Sequence, residues 1–254
     1  MIEELDVLGV KVSAVNMDLA IAEIDRWIGE GIKGYATLTG VHGLMEARRD
    51  AVVGQAYAGA DLSLPDGMPM VWLLWRAGFA HADRVYGPDL MLASLERSGA
   101  AGPRHYLYGS SPQTLSRLEA NLRQRFPAAC IVGAYSPPQR PAGTVEDRAV
   151  IDAINAARPD IIWVGLGAPK QDIWMERHRP LLDAAALIGV GAAFDFHAGL
   201  VRQAPRWIQR SGLEWAFRMA MEPRRLAGRY LRNIPPFLGL LALRSLRLRR
   251  ERSS

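Results

Sequence analysis

Apolar positions along this chain follow two alternating rhythms. Short runs rich in Val, Ile and Leu fit strands, and longer stretches with apolar residues three or four apart fit helices. The first run, "LDVLGVKVSAV" (5–15), reads as extended. Asn16 is placed to cap "MDLAIAEIDRWIGEG", where Leu19, Ile21, Ile24, Trp27 and Ile28 share a helical face. "YATLTGV" (35–41) predicts a strand and "LMEARRDAVVGQAYAGA" a helix. "ADLSLPD" (60–66) is short and extended, followed by helices in "MPMVWLLWRAGF" and "PDLMLASLERSG". Further strands are predicted in "RHYLYGS" (104–110), "ACIVGAYS", "DIIWVGLG" (160–167) and "AALIGVGAAFDF" (185–196). Helices are predicted between them in "PQTLSRLEANLRQRF", "VEDRAVIDAINAA" and "PKQDIWMERHRPLL".

This alternation predicts an α/β fold, a mainly parallel sheet with helices on both faces. Ligands of such sheets bind beyond the carboxyl ends of the strands. Asp66, Gly109, Ser110, Tyr135, Lys170, Gln171 and Asp195 all follow predicted strands, so the fold can gather them on one edge. There is no internal repeat. "SPPQRPAG" (136–143) is the most loop-like stretch and lies beside the same edge.

The rhythm changes after residue 201. Residues 1–201 hold 18 Lys and Arg against 23 Asp and Glu, whereas residues 202–254 hold 13 Arg, no Lys and 3 Glu. The expected division is a catalytic domain over 1–201 and an Arg-rich helical appendage over 202–254. "GLEWAFRMAMEP" is one short helix and "RRLAGRYLRNI" another. Pro235 and Pro236 then separate off "FLGLLALRSLRLRRERSS", where Leu240, Leu241, Leu243, Leu246 and Leu248 mix with Arg244, Arg247, Arg249 and Arg250. This apolar part falls short of the ~20 residues that span a bilayer. A basic amphipathic helix lies instead on an anionic membrane surface. The alternative is a basic cap packed on the body or on a neighbouring subunit. The arginines keep company with Leu, Ile and Phe rather than with base-stacking aromatics, which speaks against nucleic acid. The start has no basic segment followed by an apolar one, so no signal peptide is read. A single cysteine, Cys130, excludes an internal disulfide.

The candidate chemistry is polar and phosphate-directed. "LPDGMP" holds Asp66 in a tight turn at a strand end, as a turn residue or as a general base. In "VGLGAPKQD", Gly167 and Pro169 lead into a helix whose free N–H groups can face a phosphate, with Lys170 and Gln171 beside them. "LYGSSPQT" is a second such entry, through Gly109 and Ser110. Arg84 in "DRVYGPDL" can neutralise a phosphate, and Asp195 can bond ribose hydroxyls or cap a turn. The dinucleotide fingerprint and the P-loop are absent. The histidines show no metal-binding spacing and there is no D-x-D pair, so no metal site and no cofactor are expected.

These stretches resemble the WecG/TagA/CpsF family, glycosyltransferase family twenty-six. The match runs in order through "DLSLPDGMPMVW", "RVYGPDLM", "YLYGSSP", "PDIIWVGLGAPKQDIWM", "GVGAAFDFHAG" and "RQAPRWIQRSGLEWAFRMAMEPRRL", roughly residues 35–230. The resemblance implies a Rossmann-like fold of the GT-E type and an inverting, metal-independent enzyme. It implies transfer of a sugar from a UDP-sugar, N-acetylmannosamine or a relative, to a polyprenyl-diphosphate-linked sugar for a cell-surface polysaccharide. It makes Asp66 the general base, and puts the family's arginine on Arg84, its glutamine on Gln171, its aromatic on Tyr135 and its uridine-side acid on Asp195. Asp172 replaces the family's usual Glu. The family's "T-x-N" is missing from "TLTGVHG". Leu38 and Gly40 fall there without a gap, Thr37 and Thr39 with a small shift, and His42 can compensate. Arg218, Arg224 and Arg225 are candidates for the membrane surface or the acceptor phosphates. The implied location is peripheral, on the inner face of the cytoplasmic membrane, with a homo-oligomer possible. A nicotinamide oxidoreductase and a non-catalytic membrane adaptor remain the other readings.

Overall fold

The computed structural model describes residues 2–99 and 102–251, without the side chains of Arg225 and of residues 245–251. The chain opens with an antiparallel hairpin, β1 (Glu4–Val7) and β2 (Val10–Ser13). The sequence predicts one extended run here. Leu8 and Gly9 both take positive φ and fold it back, in the turn geometry that suits two twisted strands. α1 (Met17–Glu30) begins at Asn16, whose side chain accepts from the Leu19 N–H at 3.0 Å. β3 (Gly34–Thr39) leads to α2 (Val41–Arg49) and α3 (Ala51–Ala58). One helix is expected over this stretch. Asp50 divides it, because its carboxylate accepts from the Val52 and Val53 N–H groups and caps a new helix.

β4 (Leu62–Pro65) ends at the Asp66 turn and is followed by α4 (Met68–Arg76) and α5 (Gly87–Glu96). Then come β5 (Arg104–Gly109), α6 (Pro112–Arg125), β6 (Cys130–Tyr135), α7 (Arg148–Ala156) and β7 (Ile161–Gly165). α8 (Lys170–His178), β8 (Ala186–Gly189) and α9 (Ala193–His197) complete the series. The strand expected over 185–196 therefore stops at Gly189. The chain turns at Gly191, and Asp195 stands on a short helix instead.

β3 to β8 form a six-stranded sheet, all parallel, in the spatial order β4-β3-β8-β7-β5-β6. β7 shows why both faces must be covered. Ile161 and Trp163 belong to the core that packs α1, α5 and α6 against the sheet, while Ile162 and Val164 belong to the core under α7 and α8. Alternate residues serve opposite faces and all four are buried, as a central parallel strand requires. A third core joins the hairpin to α2, α3 and α4 through Val12, Leu44, Val53 and Leu74. Because all six strands run the same way, their carboxyl ends share one edge.

The remaining chain forms α10 (Arg206–Arg210), α11 (Glu214–Met221) and α12 (Pro223–Glu251). Pro235 and Pro236 do not break α12, contrary to expectation. Arg49 of α2 supplies a donor for the Arg232 carbonyl, one of the two they leave open. Phe237 is 3% exposed in the third core, with Leu240 and Leu241 packed beside it, so one side of α12 is anchored on the body. Leu231 and Leu238, two turns apart, are 70% and 58% exposed on it. Among the described residues no helix is long and apolar enough to cross a membrane.

Candidate active site

Asp66 follows the last residue of β4, and its N–H donates to the Thr39 carbonyl at 3.1 Å. This ties the ends of β3 and β4 together. A Cβ at Gly40 would lie 2.8 Å from the Asp66 carbonyl oxygen, so the residue after Thr39 must be glycine for the turn to close. The Asp66 side chain remains 31% exposed at the sheet edge.

Beneath it lies Arg84, only 11% exposed, with Nη2 3.2 Å from Asp66 Oδ1. The same Nη2 is 2.6 Å from Oε2 of Glu214, the first residue of α11. The guanidinium also stacks on the Tyr86 ring, 4.1 Å from its centroid. Burial works against the charge on Arg84, but Asp66 and Glu214 outweigh it and raise its pKa, so it stays a cation. Burial raises the Glu214 carboxyl, Arg84 opposes this, and Asp66 adds to the rise. The arrangement is one buried cation between two carboxylates, one enclosed and one open.

Thr37 and Thr39 are fully buried on one face of β3. Their hydroxyls meet at 3.2 Å, and Thr37 donates to Ser63 Oγ at 3.4 Å. His42 sits in the first turn of α2 and joins the body to α12. The Asn233 amide donates to His42 Nδ1 at 3.0 Å and to the Arg229 carbonyl at 2.8 Å, while its oxygen accepts from Arg49. Those bonds fix the Asn233 orientation and put the neutral imidazole proton on Nε2. Burial, reinforced by Arg229, pulls the His42 pKa down to about 4. A cleft of about 340 Å³ lies between His42, Pro169, Arg229 and Arg232. A larger one of about 720 Å³ opens beside Arg84, lined by Trp75, Asp83, Asp89, Arg206 and Arg210.

At the other strand ends, Gly109 (φ 123°) lies where a Cβ would come within 2.8 Å of the Gly165 backbone. Ser110 takes a left-handed φ of 63°, and its carbonyl accepts from Ser136. Tyr135 closes β6 with its ring 5.9 Å from that of Tyr108. Lys170 opens α8 and is exposed. Gln171 is 2% exposed, and its Oε1 accepts from the Gly167 N–H at 3.2 Å and the Gly191 N–H at 3.0 Å. The sequence reading leaves the N–H groups of this loop free for a phosphate. The Gly167 N–H is instead held by Gln171, which clamps the loop after β7 to the turn after β8, and Pro169 caps α8 rather than starting it. Asp172 beneath is wholly buried beside the Tyr57 hydroxyl, and burial pushes its pKa up to about 7.

Asp195 is half-buried on α9. Arg218 of α11 lies 5.8 Å from the centre of the neighbouring Phe196 ring. Arg224 is exposed in the first turn of α12, and the Arg225 side chain lies outside the described residues. Among the described residues, no three His, Cys, Asp or Glu side chains converge as metal ligands do. The fold thus brings Asp66 and Arg84 into contact. Gly109, Ser110, Tyr135, Gly167 and Lys170 stand at the ends of β5, β6 and β7 along the same edge. Sequence reasoning missed Glu214 and Asn233. Glu214 stands in the quoted "GLEWAFR" stretch, but nothing local to it points to Arg84.

Fold and site together define an α/β protein with an open carboxylate at the carboxyl edge of its parallel sheet. Residues 5–252 match the glycosyl transferase WecG/TagA/CpsF family, and the chain belongs to it. It is 29% identical to the N-acetylglucosaminyldiphosphoundecaprenol N-acetyl-beta-D-mannosaminyltransferase of Bacillus spizizenii, over 93% of this chain and 88% of that one. The protein is a glycosyltransferase.

Proposed function

We propose that the enzyme moves an N-acetylmannosamine-type sugar, or in the broader reading glucose or a uronic acid, from a UDP-sugar to a polyprenyl-diphosphate-linked sugar. The transfer is inverting and metal-independent. The observation that carries this reading is the setting of Asp66, an open carboxylate on a buried, fixed arginine at the carboxyl edge of a parallel sheet. The acceptor and sugar named for the Bacillus spizizenii relative support the substrate class.

Asp66 takes the proton of the acceptor hydroxyl as its oxygen bonds to the anomeric carbon. The bond from that carbon to the UDP oxygen breaks, and UDP leaves with the electron pair. From an α-linked donor this single displacement gives a β product, the configuration in the relative's name. Arg84 and Lys170 meet the negative charge that grows on the diphosphate, and Arg218 and Arg224 meet the phosphates of the acceptor or the membrane. Asp195 and Tyr135 serve the nucleotide side. The exposed Leu231 and Leu238 of α12, among arginines, lie on the inner face of the cytoplasmic membrane and bring the site to a lipid-linked acceptor.

The test is a panel of UDP-sugars with a lipid-linked acceptor, with and without EDTA, and the product anomer read by NMR. UDP-N-acetylmannosamine giving a β-linked product at an EDTA-independent rate is the expected result. No transfer from any UDP-sugar, or loss in EDTA restored by magnesium, overturns it.

A further inference from the structure

Arg84 has one positive charge and two carboxylates. It lies closer to Glu214 than to Asp66, at 2.6 Å against 3.2 Å. Arg84 and Glu214 are both nearly enclosed, with side chains 11% and 13% exposed, while Asp66 is 31% exposed. The Tyr86 ring holds the guanidinium from a further side. We propose that Glu214 is a positioning residue, which fixes Arg84 under the site and, by sharing its charge, keeps Asp66 an effective base. The proposal rests on Asp66 being the base.

The reasoning is electrostatic. A carboxylate paired with an arginine of its own is held in its charged form and accepts a proton poorly, whereas a second carboxylate nearby opposes that. Glu214 therefore acts on Asp66 in two ways of the same sign. It draws the Arg84 charge away and adds a negative charge of its own. Among the described residues, groups in electrostatic reach of the pair include Arg218 on α11, Tyr86 ahead of α5, Tyr57 on α3 and Tyr230 on α12. The three tyrosines are all pushed upward by burial and stay neutral, and Arg218 adds a fixed positive charge on the Glu214 side. Because Glu214 belongs to α11, the base reaches full strength only with that helix seated on the sheet edge.

The test is the pH profile of kcat/KM for the full-length enzyme and for Glu214→Gln and Glu214→Asp, with thermal melting to confirm folding. Glu214→Gln should lower the plateau and move the acid limb about one unit to lower pH, the smaller end of the shift an opposite charge causes. Glu214→Asp, which keeps the charge, should restore most of the limb position. A role in packing alone would lower the rate without moving the limb, so a limb superposing on wild type in Glu214→Gln overturns the proposal. Should that variant not fold, Glu214→Ala, which also removes the charge, takes its place: a limb moved to lower pH supports the proposal, and an unmoved limb with a lowered rate overturns it. Asp66→Asn separates the two levels. Full activity there removes the base itself, whereas an inactive Asp66→Asn with an unmoved Glu214→Gln limb removes only Glu214.

Discussion

Arg49 Nη2 lies 2.7 Å from the carbonyl oxygen of Arg232. An ordinary residue at 236 would bond that oxygen four residues back along α12, but Pro236 has no N–H to do so. The same guanidinium bonds the Asn233 side chain. One residue of α2 thus repairs the ladder of α12 at the point where it is weakest.

Arg49→Met keeps the aliphatic stem and removes both donors. It should cost about 1–3 kcal/mol, the range for leaving the buried Asn233 oxygen unpaired, since the Arg232 carbonyl is exposed and can turn to water. Hydrogen exchange should quicken over residues 226–240 while β5 and β7 remain protected. Unchanged exchange in that segment would show that the helix does not depend on Arg49.

Asp66→Asn should leave folding and UDP binding nearly intact and lower turnover at least ~100-fold, the lower scale for losing a general base. Single-turnover kinetics and calorimetry with UDP make the comparison. Turnover close to wild type would take Asp66 out of the mechanism.

Burial raises the Asp172 pKa to about 7 from an ordinary 3.8, so the folded state binds the proton more tightly than the unfolded chain. Its contribution to stability is therefore full below about pH 4 and is lost as the pH rises through about 7. Over that window the slope reaches about −1.4 kcal/mol per pH unit for one proton. Asp172→Asn should flatten it, which urea unfolding at several pH values will detect. Equal slopes in the two proteins would refute the assignment.

Much of this fold can be read from the chain because its elements announce themselves locally. Asn16 caps α1 through its own side chain, and the buried run of β7 needs no long-range information to look like a central strand. Asp50 is a signal of the same kind, a capping acid set inside a helical pattern. The misread features have distant causes. Pro235 and Pro236 look like a break because the donor that reaches the Arg232 carbonyl, Arg49, is remote in sequence. The loop after β7 looks open because nothing nearby reveals that Gln171 will bond both Gly167 and Gly191. The place of Asp66 at a strand end is legible from the chain, whereas the contact of Arg84, in the loop before α5, with it is not. Nor is Glu214, since only the docking of α11 brings it to Arg84.

Leu231→Glu with Leu238→Glu changes two exposed residues of α12 and should leave the melting temperature within a few degrees of wild type. Co-sedimentation with anionic liposomes should fall sharply, and the binding of the unaltered chain should weaken with salt. Equal sedimentation of variant and parent would place the membrane surface elsewhere.

The strand order has a consequence for how the molecule is made. β8 is the last strand of the sheet to be synthesised, yet it lies between β3 and β7. Until it arrives, β3 with β4 and β7 with β5 and β6 are two separate ribbons, each with an open edge where β8 will pair. Pairing over such distances is slow, and exposed strand edges invite other chains. A nascent chain that ends before residue 186 holds two half-sheets and no joined edge for a site. The late insertion of Ala186–Gly189 is the step that commits the chain to its native topology, and its delay is the interval in which the chain is most exposed to aggregation.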